Sequence, residues 1–271
     1  MEKRMDKLAV LPEQPETILP TDSTVNFKIS IAGQTIAVRA MHDTTRLFCR
    51  DYLSEEAADF SVAVTEEDIA FEQAKNAQPE LDTGRVSDAY LETIALLRKV
   101  SEKLIAYNTL LFHGSVVAVD GAGYLFTAPS GTGKSTHTRL WRQMLGDKAV
   151  MINDDKPFLR ITKDCVLAYG SPWNGKHRLD TNTNVVLKAI CILERGKENH
   201  IRQIPAREAL PALFEQSHRP NDPKQMPRYM DLLDALAKDV TFFHMNCNVD
   251  PEAARMSYQA MAGAENLSPV P

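Results

Sequence analysis

The chain has 271 residues with 31 Lys+Arg against 36 Asp+Glu, a formal charge of −5. That length allows one large domain or two modest ones, and a chain this long buries enough surface to need no disulfide or metal staple. With 44% hydrophobic and 25% charged residues the composition is that of an ordinary folded protein, and the acidic balance argues against a nucleic-acid-binding surface. No apolar run approaches 18 residues, so no membrane-spanning helix is expected, and the charged start Met1–Lys7 precedes too short an apolar run for a secretory leader. Cys49, Cys165, Cys191 and Cys247 form no CxxC pair and read as reduced thiols of a cytoplasmic protein.

In chain order, residues 1–22 carry Pro12, Pro15 and Pro20 and predict an irregular leader. Alternation at Val25, Phe27, Ile29 and Ile31, a break at Ala32-Gly33-Gln34, and renewed alternation through Val38 predict a hairpin. Asp59–Val64 predicts a third strand, so residues 1–84 read as a β-rich N-terminal region. Residues 85–271 read as a second, larger domain, the one in which the motifs that carry chemistry fall. Apolar residues at helical spacing predict one long amphipathic helix over Val86–Leu111. Ser115–Val119 and Gly123–Thr127, separated by Asp120-Gly121, predict a second hairpin. Further on, strands are expected at Val185–Leu193 and Val240–Met245, and helices at Ala206–Gln216 and Lys224–Leu236. A last helix starts after Asp250 as N-cap with Pro251 at its first position. Strands and helices mix throughout, so the expected class is α/β.

The sharpest local signal is Ala128-Pro129-Ser130-Gly131-Thr132-Gly133-Lys134-Ser135-Thr136, between a strand and a helix-compatible segment from His137 to Leu145. It matches G-x-x-x-x-G-K-[ST] with Ala128 in place of the first glycine. Gly131 and Gly133 let successive backbone N–H groups turn toward one anion, and the following helix adds its dipole. Residues 130–136 are therefore the candidate nucleotide cradle. In it Lys134 would reach the β- and γ-phosphates of ATP and Ser135 would ligate Mg²⁺. Gly121-Ala122-Gly123, in contrast, fails the dinucleotide fingerprint, since Phe126 occupies the third glycine position.

Twenty residues beyond Lys134, the apolar run Val150–Ile152 ends in Asn153-Asp154-Asp155. An acid at the end of such a strand can hold Mg²⁺, and its neighbour can orient or deprotonate a nucleophile. Adjacent side chains on a strand diverge, so both can serve only if the strand stops there and the chain turns, for which Pro157 is a cue. His113 is a further candidate. In the loop Ser171–Arg178, Lys176 or Arg178 could neutralise phosphate charge and Trp173 could stack on a base or acceptor.

Taken together, Phe112-His113-Gly114, the hairpin, Ser130–Ser135 and Asn153-Asp154-Asp155 resemble the catalytic domain of HPr serine kinase/phosphorylase, a relative of ATP-dependent PEP carboxykinase. The resemblance is strongest over residues 105–165. It implies that family's phosphate-loop α/β fold preceded by a small β-rich region. It matches His113 to the active-site histidine, Lys134 to the loop lysine and Ser135 to the metal-binding serine. Asp155 then takes the proton of the substrate hydroxyl and Asp154 sits beside the metal, although their closeness leaves the roles exchangeable. The Glu-Ile-Arg-Gly-type run of the bifunctional enzymes is absent, and the loop 171–178 falls about where it would stand. The expectation is an ATP- and Mg²⁺-dependent kinase acting on a hydroxyl of a protein, peptide or small molecule. The alternatives are a non-catalytic nucleotide-binding regulatory module and a PEP-carboxykinase-like lyase. HPr kinases assemble as oligomers, which makes a homo-oligomer a further expectation.

Overall fold

The computed structural model describes residues 24–76 and 86–263, so the leader expected at 1–22 lies outside the described residues. The elements are β1 (Val25–Ile31), β2 (Gln34–Ala40), α1 (Asp43–Phe48), β3 (Phe60–Ala63), α2 (Glu66–Asn76), α3 (Asp88–Leu104), β4 (Thr109–Leu111), β5 (Ser115–Val119), β6 (Ala122–Thr127), α4 (Lys134–Leu145), β7 (Ala149–Asn153), β8 (Phe158–Ile161), β9 (Val166–Tyr169), β10 (Asn184–Arg195), β11 (His200–Ile204), α5 (Ala206–Gln216), α6 (Met226–Asp239), β12 (Thr241–Cys247) and α7 (Pro251–Ala262). Among the described residues the strands form two sheets, one of three strands and one of nine. The expected α/β class holds as a mixed α/β architecture, with a small N-terminal sheet ahead of a larger mixed one.

In the small sheet the order is β1-β2-β3, with β1 antiparallel and β3 parallel to β2. Its inward residues Ile29, Ile36 and Val38 pack on Leu91, Leu96 and Val100 of α3 in one core. The helix expected over 86–111 stops at Leu104. A 3-10 turn over 105–107 follows, then Asn108 takes a left-handed conformation at φ +58°, and Thr109–Leu111 pairs with β8 instead. Asparagine tolerates that conformation because its short side chain bonds locally, which makes it a natural helix stop.

The large sheet runs β4-β8-β9-β10-β6-β5-β7, and β12 joins β10 on one side and β11 on the other. β6 and β12 both run parallel to β10. Alternating faces give two cores. Leu125, Ile190 and Phe242 meet Leu213 of α5 and Leu232, Leu233 and Leu236 of α6. On the other face Phe126, Cys191 and Phe243 meet Trp141 of α4 and Ala254 and Tyr258 of α7. The sheet is thus covered on both sides, as mostly buried strands require. The hairpin turn at Asp120-Gly121 has φ +50° and +79°, the pair of positive angles a tight two-residue turn needs. Among the described residues no helix is long and apolar enough to cross a membrane.

One buried polar cluster ties α4 to α7. Ser257 Oγ donates to Ala254 O, so it accepts from Trp141 Nε1 and from His137 Nε2, both at 2.8 Å. Burial lowers the pKa of His137 from 6.5 to about 4. Between those values the unfolded chain binds a proton that the folded one refuses, so stability falls as pH drops from 6.5 toward 4, by up to about 3 kcal/mol for this residue. The urea midpoint should therefore decrease between pH 7 and pH 4.5, and His137→Gln should lose part of that decrease. An unchanged pH dependence in the variant would assign the acid sensitivity elsewhere.

Candidate functional site

Strand direction gathers the site. β5 is antiparallel to both β6 and β7, with Ser115 opposite Phe126 and Val116 opposite Asn153. The start of β5 and the ends of β6 and β7 therefore lie at one edge of the sheet. His113, the loop 128–133 and the acid pair 154–155 all issue from that edge.

The loop leaves β6 at Ala128, whose methyl is buried beneath α4 in the core. This explains why alanine serves where the pattern has glycine. Gly131 and Gly133 adopt φ +79° and +127°, and a Cβ built on either meets nothing within 4 Å. These glycines are needed for backbone conformation, and the space over them is open. Gly133 is the N-cap of α4, which begins at Lys134, three residues earlier than expected. Ser130 is exposed, and Thr132, Ser135 and Thr136 are half-buried. Lys134 is buried, with Nζ donating to Ala128 O at 2.9 Å and Pro129 O at 3.4 Å. Burial lowers its pKa to about 8, against the pull of Asp155 and Asp154.

Asn153 turns the chain at the end of β7. Its Oδ1 accepts from Asp155 N at 2.9 Å and Lys156 N at 2.7 Å, while its Nδ2 donates to Ser171 O at 2.9 Å. Such a side-chain-mimicked turn lets consecutive acids leave the alternation of a strand. Asp154 is buried, and its Oδ1 accepts from Ser115 Oγ at 2.7 Å. Burial raises its pKa, while Ser115, Ser135 and the His177 charge favour ionisation. Ser135 therefore stands beside Asp154.

Asp155 is half-buried, with its Oδ1 3.0 Å from Lys156 Nζ and 3.4 Å from His113 Nε2. His113 Nδ1 bonds Gln216 Oε1 at 2.9 Å. Burial, with Lys156 and Lys134 nearby, lowers the His113 pKa to about 4, so its ring is neutral near pH 7. With Nδ1–H donated to Gln216, Nε2 is left as the acceptor facing Asp155.

The loop 171–178 supplies a correction. Trp173 is 5% exposed in the core against α3, with Nε1 donating to Thr93 O at 2.8 Å and its ring 5.9 Å from Phe48. It presents no open face for stacking on a base or acceptor. Lys176 and Arg178 are exposed, and the residue of this loop whose charge reaches Asp154 is His177. Gly175 lies directly against the acid pair, since a Cβ there would come within 3.1 Å of Asp155 Cβ.

Two residues went unnoticed in the sequence. Arg195, at the end of β10, donates Nε to Thr132 O at 3.2 Å and Nη2 to Gly131 O. In a trans peptide C=O and N–H point oppositely, so holding Thr132 O outward turns Gly133 N–H away from the guanidinium. Because β10 runs parallel to β6, any residue at its end reaches the same sheet edge, and that was the signal for Arg195. Gln216, at the end of α5, had no local signal.

The fold and this edge together define a mixed α/β protein with a glycine-rich strand–loop–helix facing an acid pair. The chain belongs to the family described as SynChlorMet cassette protein ScmC, whose profile matches residues 81–249. No curated protein matches it. Among solved structures it is similar to the Hpr(Ser) kinase/phosphatase from Coxiella burnetii, at 10% identity and a TM-score of 0.33, over 56% of this chain and 99% of that one.

Proposed function

We propose that this protein is an ATP- and Mg²⁺-dependent phosphotransferase acting on a hydroxyl acceptor, on a divergent form of the HPr kinase/PEP carboxykinase phosphate-loop fold. The observation that carries the reading is the convergence at one sheet edge of Lys134, Ser135, buried Asp154 and the Asp155–His113 pair. Fold kinship alone would not supply an acceptor or a reaction.

The residues fit the two groups the reading requires. The open space over Gly131 and Gly133, the Lys134 ammonium and the first turn of α4 make an anion cradle. Ser135 and Asp154 offer hard oxygen donors side by side. Among the described residues no cluster of three or more His, Cys, Asp or Glu could hold a metal. Magnesium takes few protein ligands and completes its shell with water and phosphate, so two side-chain oxygens are enough for the proposed site. Bound magnesium supplies charge neutralisation at the terminal phosphates.

The chain's own groups then divide the work. Lys134 and the loop amides hold the charge that moves onto the departing diphosphate. Asp155 takes the proton of the attacking hydroxyl as its oxygen bonds to the terminal phosphorus and the bond to the bridging oxygen breaks. The His113 ring, fixed by Gln216, stands 3.4 Å from the Asp155 carboxylate and can share the proton that the carboxylate takes up. Arg195 braces the loop from outside.

The test is incubation of the purified protein with γ-labelled ATP and Mg²⁺ against lysate proteins and a panel of small-molecule hydroxyls. Label should move to one acceptor fraction and vanish when magnesium is chelated. Tight nucleotide binding with no labelled product would favour a regulatory module instead.

A further inference from the structure

The N-terminal unit carries no motif of its own, yet it grips the loop that touches the acid pair. The Tyr52 hydroxyl, 1% exposed as a residue, donates to Asp180 Oδ2 at 2.7 Å, and Asp180 Oδ1 accepts from Asn174 Nδ2. Burial together with the Asp180 bond pushes the Tyr52 pKa far upward, so it remains a donor at any working pH. Asn182 Nδ2 donates to Asp51 O at 2.8 Å. Trp173 inserts between Phe48 and Phe158 and bonds Thr93 O of α3. The loop is thus held by the small unit at both ends.

Its other side meets the site. Lys156 N donates to Trp173 O at 3.1 Å, and Ser171 Oγ donates to Lys156 O at 2.6 Å. Gly175, at φ +69°, lies against Asp155, so the carboxylate has the loop backbone as one wall. The Asp155 backbone is fixed by Asn153 Oδ1 on its N–H and by Gly114 N–H on its C=O, whereas among the described residues its carboxylate accepts a hydrogen bond from Lys156 Nζ and has no buried donor like that of Asp154. The direction of that carboxylate is therefore left to what packs around it, the loop at Gly175 included.

We infer that the N-terminal three-stranded unit is the frame that positions Asp155, acting through the loop 171–182, with Tyr52 and Trp173 as its positioning residues. The catalytic consequence rests on the phosphotransferase reading; the geometric claim does not. A hydroxyl-activating carboxylate displaced by about 1 Å can lose on the order of a hundredfold in rate. The frame therefore decides turnover without touching nucleotide.

Tyr52→Phe tests this, because the phenyl ring keeps the core packed and only the Asp180 bond is lost. Nucleotide affinity should stay within about twofold and the far-UV spectrum should be unchanged, while kcat falls by about tenfold to a hundredfold. The His113 ring signals in an NMR titration, identified by their loss in His113→Asn, should move because their neighbour Asp155 has moved. Gly175→Ala, which presses on Asp155 from the loop side, should act on the same observables, and the two changes together should be less than multiplicative. A variant with a lower melting temperature but normal kcat and unmoved His113 signals would overturn the inference. If the wild-type protein transfers phosphate to nothing, the function reading fails by itself. The His113 signals in Tyr52→Phe then still decide the frame, supporting it if they shift and refuting it if they do not.

Discussion

Asp155→Asn should reduce phosphate transfer by about 10²–10⁴-fold, the range found when a general base is removed, and leave nucleotide affinity nearly unchanged. The amide keeps the size of the side chain and can still face Lys156, but it cannot take a proton. Asp155 is the half-exposed member of the pair, within 3.4 Å of a neutral histidine. Asp154 is enclosed, bonded to Ser115 and beside Ser135. Their surroundings give the exchangeable roles an order: the open acid suits an incoming hydroxyl and the enclosed one suits a cation held next to the phosphates. Asp154→Asn should accordingly raise the magnesium concentration needed for half-maximal rate more than it changes the pH profile. Steady-state rates of the two variants across magnesium concentrations read the distinction. Normal turnover by Asp155→Asn would refute the assignment.

Much of this edge was legible because its signals are local. The loop announces itself through glycines that must take φ beyond +70°, a lysine at the following helix start, and a strand before them. The helix over Ala206–Gln216 matches its expected span despite Pro211, since Pro205 precedes the first turn and the apolar face persists. The condition placed on the acid pair, that the strand end and the chain turn, is met by Asn153 and its two accepted N–H bonds.

What escaped was set by contacts distant in sequence. Glu92 is fully buried in α3 and accepts from His42 N and Thr45 Oγ1, so the short helix α1 exists because of a residue about fifty positions away. The strands β8 and β9 have four residues each, and β11 is mostly polar and exposed at an edge, too short or too charged for alternation to register. Trp173 read as a surface aromatic because its neighbours are Asn, Gly, Lys and His, whereas Thr93 and Phe48 determine its place. Gln216 reaches His113 only once α5 has packed on α6 and β12 and its end has met the segment 112–113.

Lys134→Ala is the remaining large effect, and it bears on the proposal that the loop cups the terminal phosphates of a nucleotide. The ammonium now bonds two loop carbonyls, is buried, and sits close enough to both aspartates to feel their charge. A charged hydrogen bond is worth roughly 1.5–3 kcal/mol, so its loss should weaken nucleotide binding by on the order of ten- to a hundredfold. Its pKa of about 8 adds a signature: above that pH the free protein loses the cation, and affinity should decline. The decisive measurement is calorimetric titration of MgATP into the wild-type protein and Lys134→Ala at pH 7. The account predicts binding by the first and a large loss in the second. Equal affinities, or no heat with the wild type, would contradict it.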